Sequence, residues 1–467
     1  MKKLLIVLIS VYCIVLNNLH AQTTLPNFFS ENMVLQQQQF VSIWGTDEPN
    51  KKITVKGSWG KDAKAASDDK GKWKLKIETP IAGGPYTLTV KGSKEIIFNN
   101  VLIGEVWLCS GQSNMEMPVK GYSSQPIIGS NEAILNSNNN NIRFFNTPRS
   151  ASITPLENSK GEWKSANPTT TGNFSATAYF FAKKMQSALN VPVGIIQTAW
   201  GASTIESWMD KETLGSFSNK IIPDKVPDSI PNRTPTIMYN SMLHPYIGYT
   251  MKGMLWYQGE GNRENAHEYT ALSKAMINAL RKQWQIGDFP FYFVQIAPFE
   301  PGKINSAFLR EAQLKTMQTV TNTGMAVTMD IGERTVIHPA QKEQVGNRLA
   351  YWALAKDYQI KGIAFSGPVY KEMQKTNNGK IIVKFDYCDL GLSSFDKTLS
   401  DFEIAGEDKV FYPAEATIQK DKNGQVIVWN DSVKNPVHVR YAFKSWAVGS
   451  LFNVQGLPAS SFRTDDW

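Results

Sequence analysis

The chain has 467 residues, too many for one hydrophobic core, so roughly two to four domains are expected. Its 42% hydrophobic and 19% charged residues describe a globular protein that dissolves in water. The formal charge of +8 is spread along the chain, and no basic run is interleaved with aromatics, which argues against nucleic acid as a partner.

The amino terminus reads as an export signal. Lys2 and Lys3 form a charged region, Leu4 to Leu16 is apolar apart from Ser10 and Tyr12, and Asn17-Asn18-Leu19-His20-Ala21 ends in a small residue, so cleavage is expected after Ala21. That stretch is too short for a stable membrane span, and no later segment is long and apolar enough to be one. The mature protein is therefore expected to be secreted or periplasmic. Losing Lys2 and Lys3 takes the charge from +8 to +6. Gln22, not a cysteine, stands directly after Ala21, so no lipid anchor is expected there. Cys13 leaves with the signal, and Cys109 and Cys388 fall in different predicted domains, so no disulfide framework is implied.

From Leu25 to about Asn100 the pattern is strands and turns. Phe40 to Gly45, Lys52 to Gly57, Lys72 to Ile77 and Tyr86 to Val90 alternate apolar and polar residues, and Asp68-Asp69-Lys70-Gly71 and Gly83-Gly84-Pro85 supply turns. This predicts a β-sandwich over residues 22–100. From Val101 the period changes. Val101 to Leu108 reads as a buried strand, and further strands are expected at Val193 to Gln197, Met254 to Tyr257, Phe291 to Gln295 and Met325 to Asp330. Helices are expected at Phe174 to Asn190, Arg263 to Trp284, Ser306 to Val320 and Ala340 to Tyr358. Alternating strands and helices predict a parallel α/β sheet with helices on both faces over residues 101–360. Tyr122 to Asn167 is rich in Asn and Ser, has weak periodicity, and reads as loops over one rim of that sheet. Alternation returns after Gly362, with hairpin turns at Asn377-Asn378-Gly379 and Asp421-Lys422-Asn423-Gly424, predicting a carboxyl-terminal β domain over 361–467.

The strand ending at Leu108 is followed by Cys109-Ser110-Gly111-Gln112-Ser113-Asn114-Met115. A glycine turn at a strand end presents the next side chain at the carboxyl edge of a sheet, where open α/β folds bind ligands. Ser113 is thus a candidate nucleophile, set against the plainer reading of a polar turn with Asn114 as a helix cap. Gly201 and Gln258 also follow predicted strands at that edge, as does His338 ahead of the last helix. A serine, a base and backbone donors are the parts that acyl transfer needs. No His, Cys and carboxylate cluster has metal-ligand spacing, so neither metal nor cofactor is expected.

Four stretches in order, Gly111-Gln112-Ser113-Asn114-Met115, Gln197 to Trp208, Trp256-Tyr257-Gln258-Gly259-Glu260-Gly261-Asn262, and Ile337-His338-Pro339 with Lys342, Val345, Gly346 and Arg348, resemble the signature blocks of the sialate O-acetylesterase family of SGNH-type carbohydrate esterases. The resemblance implies an SGNH-hydrolase-like sheet between β domains and a secreted serine esterase removing O-acetyl groups from sugars, with acetylated sialic acids as the first expectation. The alternatives are an acetyl esterase acting on plant polysaccharide of the acetyl-xylan type, and a carbohydrate-binding protein with an impaired site. By the resemblance Ser113 is nucleophile, His338 base, and Gly201 and Gln258 oxyanion donors. Gln112, Asn114, Glu206, Trp208, Asn240, Glu260 and Arg310 are the expected substrate contacts, with a structural role for Glu260 the favoured reading. Many SGNH enzymes carry an Asp two or three residues before the histidine, where this chain has Thr335 and Val336. The acid orienting His338 is therefore expected to be Glu333, with Asp330 or a backbone carbonyl as alternatives.

Overall fold

The computed structural model describes residues 22–300 and 302–467, so the expected export signal at residues 1–21 lies outside it. The organising element is the 17-residue strand β1 (Glu95–Gly111). Its first half pairs antiparallel with Gly83–Lys91 and parallel with Val34–Gln36. Its second half, buried from Val101 onward, runs into the central sheet. The expected domain boundary at residue 100 therefore falls inside one strand. Asn99-Asn100 has the composition of a turn, and Asn100 does take a positive φ of 55°, yet the chain continues extended through it. The amino-terminal strands share hydrogen bonds with the central sheet through β1. Lys52–Gly57 pairs with Lys61–Ala66 and Gly83–Lys91, while Phe40–Thr46 pairs with Lys72–Glu78 as a second layer. Ile53, Val55, Leu88 and Val90 bury together with Val41, Ile43, Leu75 and Ile77. The burial of every second residue in Lys72–Glu78 is the period-2 pattern of a half-covered strand.

Six more strands complete the central sheet: β2 (Asn139–Asn146), β3 (Trp163–Ala166), β4 (Val193–Ala199), β5 (Gly253–Tyr257), β6 (Phe291–Val294) and β7 (Thr323–Ala326). The order is β7-β6-β5-β1-β4-β2-β3, parallel except for β3 against β2. Besides two short helices at Ser130–Leu135 and Lys211–Gly215, the helices are α1 (Ser113–Glu116), α2 (Ala176–Leu189), α3 (Ala266–Trp284), α4 (Ala307–Thr319) and α5 (Lys342–Lys356). Packing joins α2 with α5 and α3 with α4. Helix α2 starts where the sequence supplies a cap, with Ser175 Oγ accepting from Ala178 N at 3.1 Å.

The carboxyl-terminal part contains two four-stranded antiparallel sheets. Arg310, fully buried on α4, ties it to the central unit by donating to Ser461 Oγ (3.2 Å), Ala442 O (3.4 Å) and Lys444 O. Among the described residues no helix is long and apolar enough to cross a membrane.

Candidate active site

Register along the sheet brings the site together. Gly111 of β1 stands opposite Ala199 of β4 and Tyr257 of β5, so all three strands end level. Gly111 has φ +140°, and a Cβ there would sit 2.2 Å from Tyr257 O, so only glycine permits this approach. The chain then turns: Gln112 N donates to Tyr257 O (2.9 Å), and Gln112 Oε1 accepts from Gly259 N (3.2 Å) and Gly261 N (3.1 Å). These bonds fix the turn that opens α1 and present Ser113.

Ser113 Oγ lies 2.8 Å from His338 Nε2. His338 stands 225 residues further along the chain, on the segment between β7 and α5. Its Nδ1 faces Gln125 Oε1 at 2.5 Å. An amide oxygen only accepts, so Nδ1 carries the proton and Nε2 is left free to accept from the serine hydroxyl. Gln125 is held by a tight turn in which Tyr122 and Gln125 exchange backbone hydrogen bonds, both 3.0 Å. The Tyr122 ring packs edge-on to the imidazole, centroids 5.5 Å apart.

Burial lowers the His338 pKa to about 4, and the nearby Lys342 charge adds to that effect. The imidazole is thus neutral, as a base must be, at all pH values above that point. Lys342 is itself fully buried, which pulls its pKa down to about 7, while Glu260 and Glu333 act in the other direction. Its Nζ donates to Asn114 Oδ1 and lies 5.2 Å from the Tyr257 ring centroid. Asn114 Nδ2 donates to Glu260 Oε1 (2.6 Å) and to Ile337 O (3.1 Å). One amide therefore joins the serine turn, the residue before the base, a buried carboxylate and a buried ammonium. Burial pushes the Glu260 carboxyl above its ordinary pKa, and its Oε2 has no partner in the protein.

Several sequence expectations are corrected. Glu333 does not meet His338: its Oε1 accepts from Ala340 N (2.9 Å) and fixes the start of α5. Asp330 is taken by both terminal nitrogens of Arg348, at 2.7 and 2.6 Å. Neither the expected acid nor a backbone carbonyl orients the base; a neutral side-chain amide does. Gln258 is fully buried and faces inward, with Nε2 donating to Ser203 O (3.0 Å) and Asn262 Oδ1 (2.8 Å) and Oε1 accepting from Tyr269 (2.8 Å). With both amide hydrogens so used, it braces the 201–208 loop and donates nothing to an oxyanion. Gly201 does reach the site, but its N–H donates to Glu116 Oε2 at 2.8 Å. The Ser113 N–H, in the first turn of α1, has no acceptor among the described residues.

Among the expected substrate contacts, Gln112 and Glu260 line the cleft and Asn114 lies beneath it. Glu206 is locked to Lys220 (2.9 Å) and Asn262 (2.8 Å). Trp208 is fully buried with Nε1 on Ser203 Oγ (2.8 Å), Asn240 donates to Ser152 O and Ile153 O, and Arg310 serves the domain junction. None of the four lines the cleft over Ser113, and each supports the fold.

The cleft over Ser113 measures about 430 Å³. Residues that sequence reasoning missed line its rim: Tyr122, Arg149, Arg233 and Arg263, together with Glu116. Arg149 grips Glu116 through Nε (2.6 Å) and Nη2 (2.8 Å) and lies over the Trp200 ring, 5.6 Å from its centroid. Gln125 and Arg149 come from the segment without periodicity, where no pattern singled them out. Among the described residues no group of His, Cys, Asp and Glu could hold a metal ion.

Comparison with known proteins agrees with this geometry. Residues 103–355 match the family model described as carbohydrate esterase, sialic acid-specific acetylesterase. The chain is 26% identical over 470 residues to the sialate O-acetylesterase of Homo sapiens, covering 90% of this chain and 87% of that protein. With the mouse (Mus musculus) enzyme of the same name it shares 27% over 429 residues, 77% of this chain and 78% of that one. A crystal structure of a carbohydrate acetylesterase from Xanthomonas citri superposes with a TM-score of 0.87 at 38% identity, covering 95% of this chain and all of that one. A serine and a neutral imidazole at one sheet edge, and a family match over more than half the chain, lead to one conclusion: this protein is a carboxylic ester hydrolase that belongs to the sialic acid-specific acetylesterase family of carbohydrate esterases.

Proposed function

We propose that the enzyme removes O-acetyl groups from sugars, acts first on O-acetylated sialic acids, and does so after export from the cytoplasm. The observation that carries the reading is the Ser113–His338–Gln125 array in a cleft rimmed by Arg149, Arg233 and Arg263. Three guanidinium groups against the carboxylates of Glu116 and Glu260 favour an anionic sugar, and sialic acids carry a carboxylate that a guanidinium binds well.

The reaction follows from the geometry. Ser113 Oγ attacks the acetyl carbonyl carbon as His338 Nε2 takes the hydroxyl proton. The Ser113 N–H stabilises the oxyanion, and Gly201 N–H joins it when Glu116 releases it. Collapse breaks the bond to the sugar oxygen, which receives the proton from His338, leaving acetyl-Ser113. Water then attacks the acetyl group, His338 accepts the water proton and returns it to Ser113, and acetate departs. Through both imidazolium stages Gln125 Oε1 holds Nδ1–H and keeps Nε2 aimed at the reacting atoms.

A panel of O-acetylated sialic acids set against acetylated xylan tests the reading. Acetate release from the sialic acids at a kcat/KM at least tenfold higher supports it. A preference for the neutral polysaccharide overturns the sialic acid assignment and favours the acetyl-xylan type of activity.

A further inference from the structure

A second cleft of about 540 Å³ shares one lining residue with the first, Arg263. Helices α3 and α4 form its sides, through His267, Phe308, Glu311 and Lys315, and the carboxyl-terminal part closes it with Arg463. The walls are built. Arg463 grips Glu311 through Nε (3.0 Å) and Nη2 (3.2 Å), and its guanidinium lies over the Phe308 ring, 5.0 Å from the centroid. Phe308 nonetheless stays 40% exposed, an unusual amount for a phenylalanine braced edge-on by Phe443 at 5.2 Å. Arg263 spends its Nε on Glu260 O (2.9 Å), its guanidinium lies over the Phe299 ring, and its Nη1 is buried without an acceptor.

We propose that this cleft is an accessory subsite for the neutral sugars to which the acetylated sugar is linked, so that the enzyme works on the end of a glycan chain. The inference rests on the sugar esterase reading and deepens it. Three observations select the occupant. Arg263 lines both clefts, so the second is the immediate neighbour of the catalytic one. The volume falls within the range of small-molecule sites, large enough for a sugar unit. The lining sets three cations (Arg263, Lys315, Arg463) against two carboxylates (Glu264, Glu311), with Lys315 and Arg463 both paired to Glu311 at 3.3 and 3.0 Å, beside an imidazole and an aromatic ring, which suits hydroxyls and a C–H face better than a strongly charged group. The proposal also gives the carboxyl-terminal part a role in the reaction, since Arg463 forms one wall.

The test compares kcat/KM on an acetylated monosaccharide with kcat/KM on the same sugar at the end of a three-sugar chain, with 4-nitrophenyl acetate as a control for folding and chemistry. Phe308→Ala removes the ring, and His267→Trp fills the cleft from an exposed position. The wild type should prefer the chain, and each variant should lose about tenfold of that preference, mainly through KM, while hydrolysing 4-nitrophenyl acetate like the wild type. Equal wild-type rates on the two sugars, or a preference unchanged in both variants, overturns the subsite. Wild-type enzyme that cleaves 4-nitrophenyl acetate but no acetylated sugar of any length overturns the sugar esterase reading instead, and the subsite with it.

Discussion

The sheet edge and the loop rim contribute to the same site in different ways. At the edge, Ser113, Gly201 and Glu260 follow the ends of three adjacent strands whose hydrogen-bond register sets them level. At the rim, Gln125, Arg149 and Arg233 stand on segments outside the central sheet, each held by a few local contacts. The edge carries the bond-making groups because a parallel sheet is stiff and repeats its geometry at every strand end. The rim carries orientation and charge selection, which loops supply without disturbing the core.

Replacing Ser113 strikes the edge hardest. Ser113→Ala should lower turnover of 4-nitrophenyl acetate about a millionfold with the melting temperature unchanged. Retention of a tenth of the wild-type activity would mean that the nucleophile lies elsewhere.

The buried pair beneath the edge should show in stability. Lys342→Met leaves the buried Asn114 Oδ1 without its donor and Glu260 without the nearby Lys342 amine, and should cost about 1–3 kcal/mol in denaturant unfolding. Adding Glu260→Gln should recover much of that loss, because the two substitutions act on one network. Strict additivity of the two would show that Asn114 does not couple them.

A rim substitution should act through the base. Gln125→Ala removes a hydrogen bond to a group that becomes charged, about 1.5–3 kcal/mol, and should lower kcat about 10- to 150-fold with KM little changed. If kcat stays at the wild-type value, the Gln125 amide does not orient His338.

Acidity separates the two regions further. With the His338 pKa near 4, the acid limb of kcat/KM should lie near pH 4, since protonated Nε2 cannot accept the serine proton. Gln125→Glu places a carboxylate on Nδ1, favours the imidazolium and should move that limb to higher pH. A wild-type limb between pH 6 and 7 would show that burial does not govern this histidine. The smallest expected effect is that of Glu333→Gln, which keeps a hydrogen-bond acceptor for Ala340 N and should change kcat by less than about threefold.

The amino-acid sequence by itself determined where strands and helices alternate, and with that which strand ends share an edge. Periods of 2 and 3.6 record burial one element at a time, so Val101 to Leu108, α2 and α3 were legible, and Ser113 and His338 followed as residues leaving such elements. Even there a boundary drawn from the change of period, at residue 100, lies inside one continuous strand. Only the tertiary structure decided the partners. Gln125 and His338 are 213 residues apart, and the Asn- and Ser-rich stretch bearing Gln125 has no periodicity to mark it. Gln258 stands at the correct strand end, yet its amide turns inward to Asn262 and Tyr269, and Arg310 is claimed by the carboxyl-terminal part. A strand end sets where a Cα lies. The direction its side chain takes depends on which distant donors and acceptors folding brings within about 3 Å of it, and those separations are absent from local pattern.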